Sequence, residues 1–461
     1  MIAKNLLFLA FLFSDVSDST YISRLSGQLI DCQASVEDVD RFNNLRLFPL
    51  LQTLLQQNYF RYYKVNMNKP CPLWREDREC TSRECGIENC DEEVPAGLRI
   101  GRQKLPDSRE EAEGCPRSSG NKIDPLDTHI STWQKAQFQK WADHDESLDN
   151  RFCDVDDEDS SEMHYVDLQR NPERYTGYKG DSALRVWRAI YEENCFKPDP
   201  KFDKEFLLHP TLNGLCLEKR AFYRLISGLH TSITVSIASH NYQPPKHTWD
   251  QGKWVRNVEM FKNRFFHLKD SKMEGVERLK NLYFVYLLEL RALQKLSPYL
   301  VKENFFTGVR LDDQETRRLI EQLSILINAF PQHFDETVMF RDVESLSRTL
   351  KEQFRRHFLN ISRIMDCVGC DKCRLWGKLQ THGIGTALKI LFSDNHSQNR
   401  SPPIPTTTID NVDLYQKFQL QRNDLVALVN SLGRFASSIS QLEEFRQIAE
   451  KSFTTEGKKE L

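Results

Sequence analysis

Two cysteine groups nearly three hundred residues apart have the spacing of exchange chemistry: Cys80-Thr-Ser-Arg-Glu-Cys85 and Cys367-Val-Gly-Cys370-Asp-Lys-Cys373. A Cys-x-x-Cys pair makes an exchangeable disulfide, and a close pair in a charged segment offers a port for another protein's dithiol. The Cys80–Cys85 bond would close only a small loop, so it stabilises little and can open without unfolding the chain. Two such pairs imply a relay. Cys80 and Cys85 would meet the outside, and Cys370 and Cys373 would meet an electron acceptor. The competing reading of the front segment is a static knot of Cys71, Cys80, Cys85 and Cys90. Structural zinc and iron–sulfur sites usually take four ligands, and the back cluster supplies three, so no metal is expected. At the start of a helix, the dipole with Lys372 and Arg374 would favour a thiolate at the back pair.

The relay needs an acceptor for two electrons, and with no thioredoxin-like unit visible a flavin is the natural candidate. A Rossmann flavin site wants Gly-x-Gly-x-x-Gly between a strand and a helix. The single match, Gly383-Ile-Gly385, lies inside a helical segment. Helices must then hold the flavin with aromatic rings and arginines. Arg174-Tyr-Thr-Gly-Tyr-Lys-Gly180 suits a pyrophosphate, and Trp187 follows as a flat surface. Ser227 and His230 share a helix face, with Gly228 beside them giving room for a planar ligand. Arg264 and Arg278 flank a polar segment containing Gly275 and could approach one phosphate from two elements. Taken singly, these are equally a core tryptophan, a satisfied helical histidine and surface arginines.

The elements that must position these groups are helices. Apolar residues recur at helix spacing over Phe42 to Tyr63 (broken by Pro49), Ser131 to Ala142, Ala183 to Glu193, Cys216 to Ile237 and Arg278 to Leu296. The same holds for Arg317 to Ala329, Ser345 to Met365, Cys373 to Phe392, Val412 to Leu432 and Gln441 to Phe453. Residues 96–127 read as a mobile loop holding Cys115, 154–162 as solvated acidic surface, and 393–411 as a linker.

Of the residues, 39% are hydrophobic and 11% aromatic, enough for a sizeable core, and the formal charge of −3 argues against nucleic acid as a partner. Lys4 precedes the apolar run Leu6 to Phe13, the layout of a secretory signal peptide cleaved between Ser14 and Ser19. Beyond it, no apolar run reaches transmembrane length. Asn360, Asn395 and Asn399 head glycosylation sequons, and the final Lys458-Lys-Glu-Leu461 is close to a retrieval signal. In an oxidising compartment most of the twelve cysteines would pair.

Several stretches together resemble the endoplasmic reticulum oxidoreductins, FAD-dependent thiol oxidases that regenerate protein disulfide isomerase. They include Asp40-Arg-Phe-Asn-Asn44, Asn171-Pro-Glu-Arg-Tyr-Thr-Gly-Tyr-Lys-Gly180, Glu218-Lys-Arg-Ala-Phe-Tyr-Arg-Leu-Ile-Ser-Gly-Leu-His230 and Asn360-Ile-Ser-Arg-Ile-Met-Asp-Cys-Val-Gly-Cys370. The resemblance implies a mainly α, single helical domain over 20–461, its bundle core cradling FAD and its long irregular loops bearing cysteines. It implies FAD contacts at Arg174, Thr176, Trp187, Ser227, His230, Arg264 and Arg278. Electrons would pass from the isomerase through Cys80–Cys85 to Cys370–Cys373, then to the flavin and to molecular oxygen, giving hydrogen peroxide. Cys71–Cys367 and Cys195–Cys216 would be structural bridges. A resting state would pair Cys80 with Cys115 and Cys85 with Cys90. The implied setting is the endoplasmic reticulum lumen, soluble or peripheral to the membrane. Around Cys32 the chain lacks the further cysteines of the family, so Cys32 is either free or paired with Cys153. The reading from another class is a secreted binding protein with static disulfides.

Overall fold

A computed structural model of the chain describes residues 34–75, 85–88, 90–99, 151–154, 156, 162–173, 180–194, 216–243, 245, 247, 252–265, 274–331, 334–340, 345–393 and 418–456. In chain order the elements are α1 (Val36–Phe42), α2 (Phe48–Leu54), α3 (Asn58–Arg61), β1 (Tyr62–Val65), α4 (Ala96–Arg99) and β2 (His164–Asp167). Then come α5 (Gly180–Glu192), α6 (Leu217–Ser239), β3 (Asn241–Gln243), β4 (Lys253–Val255) and α7 (Val258–Phe265). The remainder is α8 (Glu274–Leu300), α9 (Arg310–Ala329), α10 (Ser345–Ile364), α11 (Asp371–Phe392) and α12 (Arg422–Glu456). The protein is mainly α, as its periodicity implies. The strands form two antiparallel ribbons, β1 with β2 and β3 with β4.

The core gathers around α8, which packs on α6, α9, α11 and α12. Its stripe of Leu279, Leu282, Tyr283, Tyr286, Leu287, Leu290 and Leu293 is fully buried. Helix α11 is buried on every side from Cys373 to Phe392, with Arg374, Lys378, His382 and Lys389 among its buried residues. Among the described residues, no helix is long and apolar enough to cross a membrane.

Four local expectations are corrected. Pro49 does not break its helix. A π-helical turn at Asn43–Leu47 precedes it, and Pro49 falls in the first turn of α2, where a missing N–H is tolerated. Tyr62 and Tyr63 leave the helix for strand β1, where Tyr62 faces Asp167 and Tyr63 faces Val166. The two final helices are one, α12, and Gly433 lies inside it as a close-packing position. A Cβ there would come within 2.5 Å of Leu55. The acidic run is not all solvated surface. Asp154 pairs with Lys69 and Arg363, and Asp156 with Lys69 and the buried Lys378. The expected helix at Ser131 to Ala142, most of 96–127 and most of 393–411 lie outside the described residues.

Candidate functional site

Cys370 is the N-cap of α11 and Cys373 stands one turn inside it. Both are buried thiols, and the two side chains hydrogen-bond to each other. That bond holds the Cys370 thiol below its ordinary pKa against the opposing effect of burial, and the backbone N–H groups of Cys373 and Lys372 assist. Cys373 moves the other way. Burial pushes its thiol well up, and the nearby Cys370 and Glu173 add to the effect. The pair is therefore polarised, the Cys370 thiol giving up its proton more readily than the Cys373 thiol. The helix start contributes as expected. Arg374, however, donates to Asp371 at 3.2 Å. A disulfide between Cys71 and Cys367 ties the segment after β1 to the turn just before this pair.

Glu173, whose charge acts on Cys373, also reaches α6. Its carboxylate meets Ser236 Oγ at 3.4 Å and the buried guanidinium of Arg434. Six residues earlier on α6, about 9 Å along the helix, His230 stacks on Trp187 of α5 with ring centroids 3.8 Å apart and 16° between planes. Tyr191 Oη lies 2.9 Å from His230 Nδ1, and Arg264 Nη2 lies 3.3 Å from Nε2. A guanidinium can only donate, so Nε2 accepts and the ring proton sits on Nδ1, toward Tyr191. Burial first, then the charges of Arg264 and Arg278, push the His230 pKa down to about 3. The imidazole is neutral at physiological pH.

Trp187, His230, Arg264 and Arg278 thus converge from α5, α6, α7 and α8. Ser227 is buried one turn away and accepts from Asn281 Nδ2 at 3.0 Å. The donor set fits a dinucleotide cofactor, with cations for a pyrophosphate and ring faces for a planar group. Gly228 does not make room for that ligand. It faces α8, where a Cβ would lie 2.3 Å from the Asn281 carbonyl oxygen, so its role is close helix packing. Gly383 and Gly385 lie mid-helix in α11, away from any strand–helix turn. Sequence reasoning passed over Tyr191, Asn281 and Glu173 as site groups. Tyr191 had a usable signal, being four residues from Trp187 on one stripe. The other two had none, because their partners come from other elements.

On the front segment, Cys85 is disulfide-bonded and 5% exposed. Cys90 is a buried thiol that donates to the Tyr165 carbonyl at 3.2 Å, and burial raises its pKa to about 11. The resting Cys85–Cys90 bond is therefore not present here. Cys153 is a buried thiol against Gly385, its pKa pushed up to about 12. Cys216 is an exposed thiol at the start of α6. Cys32, Cys80, Cys115, Cys195, Arg174, Thr176, Asn395 and Asn399 lie outside the described residues. Asn360 sits within α10, its amide donating to Glu193 at 3.2 Å. Among the described residues no cluster of three His, Cys, Asp or Glu is placed to hold a metal.

Comparison with known proteins bears on this arrangement. Residues 46–442 match the family model described as Endoplasmic Reticulum Oxidoreductin 1 (ERO1). The chain is 52% identical over 430 residues to endoplasmic reticulum oxidoreductin-1 of Caenorhabditis elegans, covering 90% of this chain and 87% of that one. It is 45% identical over 441 residues to ERO1-like protein alpha of Homo sapiens, covering 92% and 91%. The fold is similar to the solved structure of Ero1p, described as the source of disulfide bonds for oxidative protein folding in the cell. That match has a TM-score of 0.57 and 27% identity over 91% of this chain and 99% of that one.

Proposed function

The chain belongs to the endoplasmic reticulum oxidoreductin 1 family, the thiol oxidases of oxidative protein folding, and from that premise we propose that it is an FAD-dependent oxidase of protein disulfide isomerase. The static binding protein is set aside by that membership. The observation that carries the proposal is the hydrogen-bonded Cys370–Cys373 pair, with Glu173 close enough to act on Cys373 while also meeting Ser236 on the helix that bears His230. Bound FAD would supply an acceptor for two electrons and pass them to molecular oxygen, yielding hydrogen peroxide.

The chain's own residues do the rest. Cys80 and Cys85 exchange with the isomerase's dithiol and then with the inner pair. Cys370 carries the developing thiolate, while Cys373 keeps its proton until the inner bond forms. Trp187 and His230 present ring faces, and Arg264 and Arg278, with Arg174 and Thr176, hold the pyrophosphate. Neutral His230 adds no further positive charge to that cluster. Cys115 and Cys90 serve as resting partners for Cys80 and Cys85. The site works in the lumen, on a soluble or membrane-peripheral protein.

Oxygen consumption with reduced isomerase as substrate tests this reading, together with flavin absorbance of the purified protein. Wild type should consume oxygen and carry flavin. Cys85→Ala should lose isomerase oxidation but keep part of its activity toward a small, strong dithiol, and Cys373→Ala should lose both. A purified protein without flavin would end the proposal.

A further inference from the structure

The relay needs its outer segment held at the inner pair, and one buried residue spans the two. Asn171 is 0% exposed. Its Oδ1 accepts the Glu88 N–H at 2.8 Å, and its Nδ2 donates to the Glu88 carbonyl at 2.9 Å. The amide thus satisfies both backbone groups of Glu88, as a neighbouring strand residue would. Glu88 is three residues after Cys85 and two before Cys90. From the same residue, the Asn171 carbonyl accepts the Trp376 indole N–H at 2.9 Å. Trp376 stands one helical turn beyond Cys373 on α11.

The residue's own position is set from behind. Asn171 N and Nδ2 both donate to the Asp167 carbonyl, at 3.0 and 3.1 Å. Arg61 grips the Asp167 carboxylate through Nε at 2.9 Å and Nη2 at 2.5 Å. Arg170 closes the solvent side by pairing with Glu88 and Glu93. Cys85's segment and Cys373's helix are therefore both referenced to one fixed residue, the first through its side-chain amide and the second through its backbone carbonyl.

We propose that Asn171 is the positioning residue for transfer between the two cysteine pairs, an inference that rests on the relay reading. In that step a thiolate of the reduced shuttle pair attacks a sulfur of the inner disulfide. The inner S–S bond breaks as a mixed disulfide forms, and the second shuttle thiol then displaces the inner cysteine. Two electrons and two protons move inward, so the shuttle regains its bond and the inner pair becomes a dithiol. The geometry demands an amide. Alanine leaves both Glu88 groups without this partner, and aspartate cannot donate.

Asn171→Ala and Trp376→Phe test it, the second removing only the indole N–H. Both should lower kcat for reduced isomerase by roughly ten- to a hundredfold, the range expected when reacting groups are displaced by about an ångström. Oxidation of a small dithiol acting directly on the inner pair and flavin content should stay near wild type, while melting temperature falls, more in Asn171→Ala, which strands both Glu88 backbone groups, than in Trp376→Phe. Quenched alkylation mass spectrometry should show the Cys85 disulfide returning more slowly after reduction. With Cys85→Ala selective for the isomerase, equal loss of both activities in Trp376→Phe, or wild-type behaviour in it, would overturn the positioning role while leaving the relay intact. If Cys85→Ala itself shows no selectivity, the relay falls and this inference falls with it. Should Asn171→Ala not fold, Trp376→Phe carries the test alone.

Discussion

A thiol pair in a buried site has to divide its protons unequally to be reactive, and the hydrogen bond between Cys370 and Cys373 makes that division. Cys373→Ala should therefore raise the pH at which Cys370 is alkylated, while Cys373→Ser, which keeps a donor, should hold it closer to wild type. Identical pH profiles for the two variants would show that the partner does not matter. His230 gives a second residue-scale expectation. Its folded pKa is depressed to about 3, whereas an unfolded histidine titrates near 6.5. Between those values the unfolded chain binds the extra proton, so stability falls as pH drops from about 6.5 and is unaffected by this group above it. Thermal melts across pH 5 to 7.5 should show that slope, and His230→Gln should flatten it. His230→Ala and Trp187→Ala should each lower flavin content, and normal content in both would dismiss this face as the cofactor site.

Helix α11 carries the inner pair, and what fixes its depth is a line of buried polar groups. Tyr63 Oη lies 3.0 Å from His382 Nδ1, and His382 Nε2 lies 2.6 Å from Asp424 Oδ1. Asp424 also accepts from the Gln421 N–H at 2.7 Å. The line joins β1, α11 and the start of α12. Hydrogen bonds from its neighbours hold the Asp424 carboxyl well below the usual range despite burial. A buried hydrogen bond to a charged group contributes about 1.5–3 kcal/mol. Asp424→Asn should therefore lower stability by that order, and Tyr63→Phe by about 1 kcal/mol. Denaturant melts would read both. A loss below 1 kcal/mol for Asp424→Asn would mean that the line does not carry α11.

Across the whole molecule, the Cys71–Cys367 bond closes a loop with a sequence separation of 296 residues. The chain-entropy model gives such a closure about 5–6 kcal/mol, of which native bridges commonly deliver about 2–5. Because Cys367 lies three residues before Cys370, the bond also anchors the inner pair. Cys71→Ser should lower thermal stability and reduce oxidation of isomerase and small dithiol alike, in contrast to the selective Cys85→Ala. A Cys71→Ser protein as stable and active as wild type would refute the anchor.

The sequence by itself determined the chemistry and most of the helices. Cysteine spacing is local, and so is the recurrence of Leu279, Leu282, Tyr286 and Leu293 along α8, so both can be read without a partner in view. The tertiary structure decided what depends on residues far apart in the chain. That the stretches ending at Leu432 and starting at Gln441 form one helix shows only once Leu55 is seen packed on Gly433 between them. Gly228 reads as ligand room until the α8 backbone is found there, and Asp156 reads as surface until Lys378 reaches it. The link through Asn171 is the extreme case. Its partners at Glu88 and Trp376 lie 83 and 205 residues away, and no periodicity records a hydrogen bond that forms only once α11 and the cysteine-bearing segment have packed together.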